Sequence, residues 1–200
     1  MPHLALVGDS VFDNGRYTAG APDVVGCLRP LLPSGWTASL NARDGTGITQ
    51  VGGQLARLPK ETTHLVVSMG GNDLWPLPML MPRRTDTTME FLGWVTTHAK
   101  DFEKKYRLAL AELCALGHEV TVCTVYGAGL PDEKGERFRT LLGVFDDLIV
   151  QAAGQRQLRV IELRAVCVEP SDFVNSIEPS AAGGRKIAAA IAAAVCGSLS

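Results

Sequence analysis

The stretch Leu4-Ala5-Leu6-Val7-Gly8-Asp9-Ser10 passes from four unbroken apolar residues straight into a Gly-Asp-Ser turn. A run that short, with no polar alternation, suits a strand covered on both faces, the condition of a parallel sheet sandwiched between helices. Comparable runs occupy residues 65–68, 119–125 and 158–163, with a weaker one at 36–40, each bounded by Gly, Pro or polar residues. Helical patterns lie between them. Pro22 opens a segment over 22–32 that Pro33-Ser34-Gly35 stops, and another covers 49–58 before Pro59. The longest spans 88–116, with Phe91, Val95, Phe102, Tyr106, Leu110 and Leu113 at helical spacing and Gly117 as its stop. Two more cover 133–155 and 181–199. Strand and helix in alternation predict a doubly wound α/β sheet with helices on both faces.

The whole chain, residues 1–200, fits one domain with a core of its own. Nineteen Lys and Arg stand against 21 Asp and Glu, a net charge of −2, which gives no electrostatic footprint for nucleic acid. The longest apolar stretch, 187–195, is mostly alanine and well short of the roughly 20 residues of a membrane span. The N-terminal apolar run ends at Gly8, too early for a secretory signal. Cys27, Cys114, Cys123, Cys167 and Cys196 are odd in number, scattered and without a CxxC, so free thiols in a reducing, cytoplasmic compartment are expected. No cofactor is expected, and a homodimer stays open.

Ligands of doubly wound folds bind beyond the carboxyl ends of the strands, so the loops there carry the chemistry. They read Gly8-Asp9-Ser10-Val11-Phe12-Asp13-Asn14, then Asn41-Ala42-Arg43-Asp44-Gly45-Thr46, then Ser68-Met69-Gly70-Gly71-Asn72-Asp73. A fourth segment, Asp172-Phe173-Val174-Asn175-Ser176-Ile177-Glu178-Pro179-Ser180, precedes the last helix.

With Gly8-Asp9-Ser10 and Gly70-Gly71-Asn72-Asp73 together, the chain resembles the SGNH hydrolases, the GDSL family of esterases and lipases, over essentially its whole length. The resemblance implies a flavodoxin-like three-layer α/β/α sandwich with a five-stranded parallel sheet. It implies that Ser10 attacks the carbonyl of a small-molecule ester or acetylated substrate. The oxyanion would be held by the backbone N–H groups of Ser10 and Gly45 and by the Asn72 amide, with Gly47 a rival to Gly45. Donors fixed in advance are what such an oxyanion requires.

The family's last block, D-x-x-H, reads Asn175-Ser176-Ile177-Glu178 here, still followed by Pro179-Ser180. None of the four histidines is placed to substitute: His3, His64 and His118 precede strands, and His98 falls in the long helix. Glu178 is therefore the expected base, with Asn175 orienting it. An Asp beside Glu178 would repel it, and Asn avoids that while keeping a hydrogen-bonding side chain. Asp9 is expected to bond the local backbone, and Asp13, Asp73 and Trp75 to line the pocket. Asp172 is a possible displaced acid partner. Asp9, Asp13 and Glu178 together lack metal-ligand spacing, and no metal is expected. The proline-interrupted stretch 74–82 reads as a pocket wall, a lid, or packing against the long helix or a second subunit. The competing functional reading is a binding domain that keeps the pocket and has lost the chemistry.

Overall fold

In the computed structural model, which describes residues 1–77, 84–127, 129, 132–175 and 177–197, the five apolar runs form five strands. They are β1 (His3–Gly8), β2 (Thr37–Leu40), β3 (His64–Ser68), β4 (Glu119–Cys123) and β5 (Arg159–Ile161). All pair in parallel in the order β2-β1-β3-β4-β5. This is the flavodoxin-like order, in which the chain leaves β1 to one side and returns to β3 on the other, opening a crevice at their carboxyl ends. Around the sheet lie α1 (Val24–Leu28), α2 (Gly52–Leu55), α3 (Gly71–Leu74), α4 (Thr88–Cys114), α5 (Asp132–Gly154), α6 (Leu163–Val166) and α7 (Ala181–Cys196). A two-stranded antiparallel ribbon, β6 (Phe173–Val174) with β7 (Glu178–Pro179), precedes α7.

The period of two along a strand divides the core into two layers. Ala5 and Val7 of β1, with Leu65 and Val67 of β3, pack against Phe102, Tyr106, Leu110 and Phe145 of α4 and α5. Leu4 and Leu6, with Val66, face the opposite way, onto Val24 and Leu28 of α1 and Ile187 and Ile191 of α7. The glycine-containing last helix packs closely: a Cβ at Gly183 would meet the Asp172 carbonyl oxygen at 2.2 Å.

Several elements are shorter than the sequence predicts. The 49–58 helix shrinks to α2, preceded by a 3-10 turn at Ile48–Gln50. In the 22–32 segment, Asp23 caps α1 through the Gly26 amide (2.7 Å), and a 3-10 turn at Arg29–Leu31 replaces further α-helix around Pro30. β5 stops at Ile161 because the Glu162 side chain caps α6. α7 ends at Cys196 with Gly197 as its cap, and residues 198–199 of the expected helix lie outside the described residues. Of the stretch 74–82, Leu74 and Leu77 join the core beneath α4, while 78–82 lie outside the described residues.

Gly8 is the tightest point of the sheet. It pairs with Ser68, adopts φ +132°, and an added Cβ would lie 1.7 Å from the Ser68 carbonyl oxygen. Gly8→Ala is therefore expected to cost about 4 kcal/mol or more, among the largest single-residue effects, or to prevent folding. Denaturant unfolding checks this, and an unchanged midpoint would mean the β1–β3 approach is looser than described.

Candidate active site

Beyond Gly8 the chain folds into a tight turn, with the Phe12 and Asp13 amides both donating to the Asp9 carbonyl (3.2 and 3.1 Å). The Asp9 side chain, 2% exposed, accepts from the Val11 amide (3.1 Å) and the Ser68 hydroxyl (3.2 Å), tying the turn to β3. Burial pushes its pKa up to about 7 against those hydrogen bonds. Ser10 follows, 7% exposed, in the wall of a cavity of about 60 Å³. Asp9, Asn72, Trp75, Tyr126 and Glu178 share that wall. Val125, Phe138, Leu142 and Ile177 complete its apolar part.

Glu178 reaches the cavity from β7, and its backbone neighbours are held from two sides. The Tyr126 hydroxyl donates to the Ile177 carbonyl (2.5 Å), and the Asn14 amide donates to the Pro179 carbonyl (3.1 Å). Asn14 is itself fixed by accepting from the Val24 amide (3.0 Å). Burial pushes the Glu178 carboxyl above its ordinary range, the Ser10 hydroxyl beside it opposes this, and the nearby Asp44 charge adds to the rise. Its Oε2 is buried without a hydrogen-bond partner among the described residues.

Asn175 does not take the role expected of it. It is exposed, sits at φ +54°, and makes no hydrogen bond to Glu178 among the described residues. Asn tolerates the left-handed region better than most side chains, so its service is to the turn between β6 and β7. Asp172 is likewise no acid partner. It is fully buried and accepts from the Val168 and Glu169 amides (3.0 and 2.9 Å) and from Lys186 (2.8 Å). Burial pushes its pKa up, but Lys186 and the amides outweigh this and hold the carboxyl below its usual range.

The second loop and α3 lie across the crevice from this ribbon. Asn72 donates to the Thr46 carbonyl (3.0 Å), which occupies one of its two amide hydrogens. The backbone amides of Ser10 and Gly45 donate no hydrogen bond among the described residues, whereas the Gly47 amide is taken by the Gln50 side chain (2.8 Å). That difference favours Gly45 over its rival. Gly45 nevertheless lines a neighbouring groove of about 640 Å³ and not the Ser10 cavity itself.

Asp13 and Asp73 are braces and do not line the Ser10 cavity. Asp13 accepts from the Asp44 amide (2.8 Å) and Asp73 from the Ile48 amide (2.9 Å), each fixing one end of the second loop. Asp9, Asp13 and Glu178 do not gather as a metal-binding cluster among the described residues. Trp75 does line the cavity, edge-on to Phe138 with ring centroids 6.0 Å apart. No histidine reaches Ser10: His3 bonds Thr37 and Ser39, His64 bonds Thr63, and His98 bonds the Trp94 carbonyl.

Two residues are missing from the sequence-based site. Gln54, buried in α2, accepts from the Gly8 amide (2.8 Å) and donates to the Gly8 carbonyl (2.7 Å) and the Thr46 hydroxyl (3.2 Å). Through Thr46 the same network reaches Asn72, so one side chain joins the three loops. Nothing in a lone glutamine on a weak helix signals this. Tyr126 follows β4 at its carboxyl end, and the strand-end rule alone marks that position.

No protein-family model and no curated protein matches the chain in sequence. Solved structures match it in fold. An α/β hydrolase enzyme from the metagenome of Lake Arreo aligns over 96% of this chain and 94% of its own, with TM-score 0.71 and 18% identity. An extracellular lipase from Streptomyces rimosus aligns over 98% and 100%, with TM-score 0.70 and 14% identity. An acetyl xylan esterase, AlAXEase, aligns over 96% and 99%, with TM-score 0.69 and 17% identity. The chain thus shares with these proteins a three-layer α/β/α fold around a five-stranded parallel sheet. That fold is the one expected from the two sequence blocks. Among the described residues no helix is long and apolar enough to cross a membrane.

Asp9 gives a test of the electrostatics. Its pKa in the folded chain, about 7, lies above the 3.8 of an ordinary Asp. The folded state therefore favours the protonated form: its stabilising effect is complete below about 3.8 and is lost as pH rises through 7. Asp9→Asn removes the cost of burying the charge. Wild type is expected to fall behind this variant by a few kcal/mol between pH 4 and 8. Urea unfolding across that range measures the gap, and a gap independent of pH would overturn the assignment.

Proposed function

We propose that the protein is a serine hydrolase of small esters, with Ser10 as nucleophile and Glu178 as the base that serves it. The observation carrying this reading is that Ser10 and Glu178 line one small cavity, with a carboxyl oxygen of Glu178 buried and unpartnered. In water a glutamate is a weaker base than histidine, but burial raises Glu178 toward the pKa range useful at neutral pH.

In the proposed reaction Glu178 accepts the Ser10 hydroxyl proton as the oxygen attacks the ester carbonyl. The amides of Ser10 and Gly45 and the second N–H of Asn72 receive the oxyanion, each such donor being worth about 3 kcal/mol of barrier. Collapse expels the alcohol, which takes the proton from Glu178 and leaves an acyl-Ser10. Water then attacks with Glu178 again accepting a proton, and release of the acid returns that proton to Ser10. The apolar cavity, about 60 Å³, has room for a short acyl chain of about two to four carbons. A neighbour of the same fold is an acetyl xylan esterase, which supports an acetyl-sized acyl group. The free state of all five cysteines fits a reducing compartment such as the cytoplasm.

A second reading, a binding domain without catalysis, is favoured by the exposure of Asn175, which leaves Glu178 with no third residue to orient it. Labelling by a fluorophosphonate probe, read by mass spectrometry, separates the two. The hydrolase reading expects adduct on Ser10, none in Ser10→Ala, and hydrolysis slowed about 100-fold or more in Glu178→Gln. Because Glu178 acts ionised and its pKa is raised, kcat/KM is expected to climb with pH through a midpoint above the ordinary 4.5 of a glutamate. Absence of labelling in folded protein between about pH 6 and 9 would establish the binding domain instead.

Trp75 sets the size of the acyl pocket in this reading. Trp75→Ala is expected to move the preference from acetate toward butyrate or hexanoate esters of one alcohol, measured as a ratio of kcat/KM values. An unmoved ratio would place the acyl chain elsewhere.

A further inference from the structure

An ester bound at Ser10 has two substituents, and the small apolar cavity accommodates only one of them. The other must leave across the rim, and beyond the Asn72–Thr46 contact at that rim lies the groove of about 640 Å³ that Gly45 lines. The two spaces share a wall: Thr46 lines the groove, and its carbonyl accepts the Asn72 amide from the cavity side at 3.0 Å.

The groove differs from the cavity in chemistry. Asn41, Arg43, Asp44, Gln50, Gln54 and Arg57 line it. Its two guanidinium groups have no carboxylate within ion-pair distance among the described residues. The acid in the groove, Asp44, is already engaged, by Arg16 at 3.7 Å and by the Tyr17 hydroxyl at 2.9 Å. Both arginines stand on fixed backbone. The Arg43 amide donates to the Gly8 carbonyl (3.0 Å), and the Arg57 carbonyl accepts from Asn41 (3.0 Å). A local excess of positive charge in a chain of net charge −2 is a recognition feature, because guanidinium groups match carboxylate and phosphate oxygens.

We infer that this groove receives the alcohol portion of the substrate and that this portion carries an anionic group, a carboxylate or a phosphate, held by Arg43 and Arg57. The assignment rests on the ester-hydrolase reading for its placement of the alcohol, while binding of the anion stands independently of it.

Hydrolysis of acetyl esters of ethanol, glycolate, glycerol 3-phosphate and choline tests it, the alcohols being neutral, carboxylate, phosphate and cationic. The anionic esters are expected to exceed the neutral one in kcat/KM by about tenfold through KM, with choline the poorest. The glycolate and phosphate arms show which anion fits. The anionic-to-neutral ratio, taken within one preparation and so insensitive to its folded fraction, should fall toward one in Arg43→Gln/Arg57→Gln and in about 0.5 M KCl. A ratio near one in wild type, or one untouched by the double substitution, overturns the inference. Calorimetric titration of the Ser10→Ala protein with glycerol 3-phosphate separates the two readings. Arginine-dependent binding without wild-type turnover would keep the groove and remove the hydrolase, and turnover without charge preference would do the reverse.

Discussion

The closeness of β1 to β3 at Gly8 is the constraint on which the site hangs. At that pair the backbones leave no room for a side chain, the Ser68 carbonyl oxygen occupying the place of a Cβ. The chain therefore leaves the sheet abruptly, and the next two residues fall above the strand ends, Asp9 against Ser68 and Ser10 at the cavity. Gln54 then fastens both polar groups of the Gly8 backbone, which a buried strand end cannot leave unpaired without cost. The proposed nucleophile would need a fixed direction more than many contacts, and the strand end below Ser10 supplies one.

The fold was legible because its signal is repeated. Five short apolar runs alternate with helical periods, and any one of them misread would leave the others intact. Ser10, Asn72 and Trp75 fall on one cavity because loops at strand carboxyl ends converge in this topology. Gly45 was placed beside the site, in the groove, and its preference over Gly47 came from which amide was already spent. What the sequence hid were partnerships across loops. Asp13 and Asp73 look like pocket acids in one dimension, yet each meets a backbone amide about thirty or twenty-five residues away, at Asp44 and Ile48. Gln54 is the extreme case: its three contacts lie at Gly8 and Thr46, and its local sequence carries no mark of them.

Acidic groups around the ribbon before α7 are treated in two ways. Asp172 is neutralised outright by Lys186 and two amides, which makes it an anchor for the start of the ribbon. Glu178, six positions later, has no cation beside it and keeps one oxygen without a partner among the described residues. Burial without a counter-charge raises a carboxyl pKa, whereas burial with one lowers it. Asp9, at the foot of the same cavity, is raised as well, and Glu178 contributes to that rise. Two carboxyls in so small a space favour carrying a single charge between them.

The ribbon that presents Glu178 is gripped by its main chain. Tyr126 holds the carbonyl before that residue and Asn14 the carbonyl after it, and neither bond involves the side chain at 178 itself. The mount is consequently separate from the tool it carries. A lineage could exchange one proton acceptor for another at this position without rebuilding the scaffold, so chemistry here is free to drift while architecture stays. In the function we propose, a glutamate at the position where the resembled family carries a histidine is the kind of outcome such modularity permits.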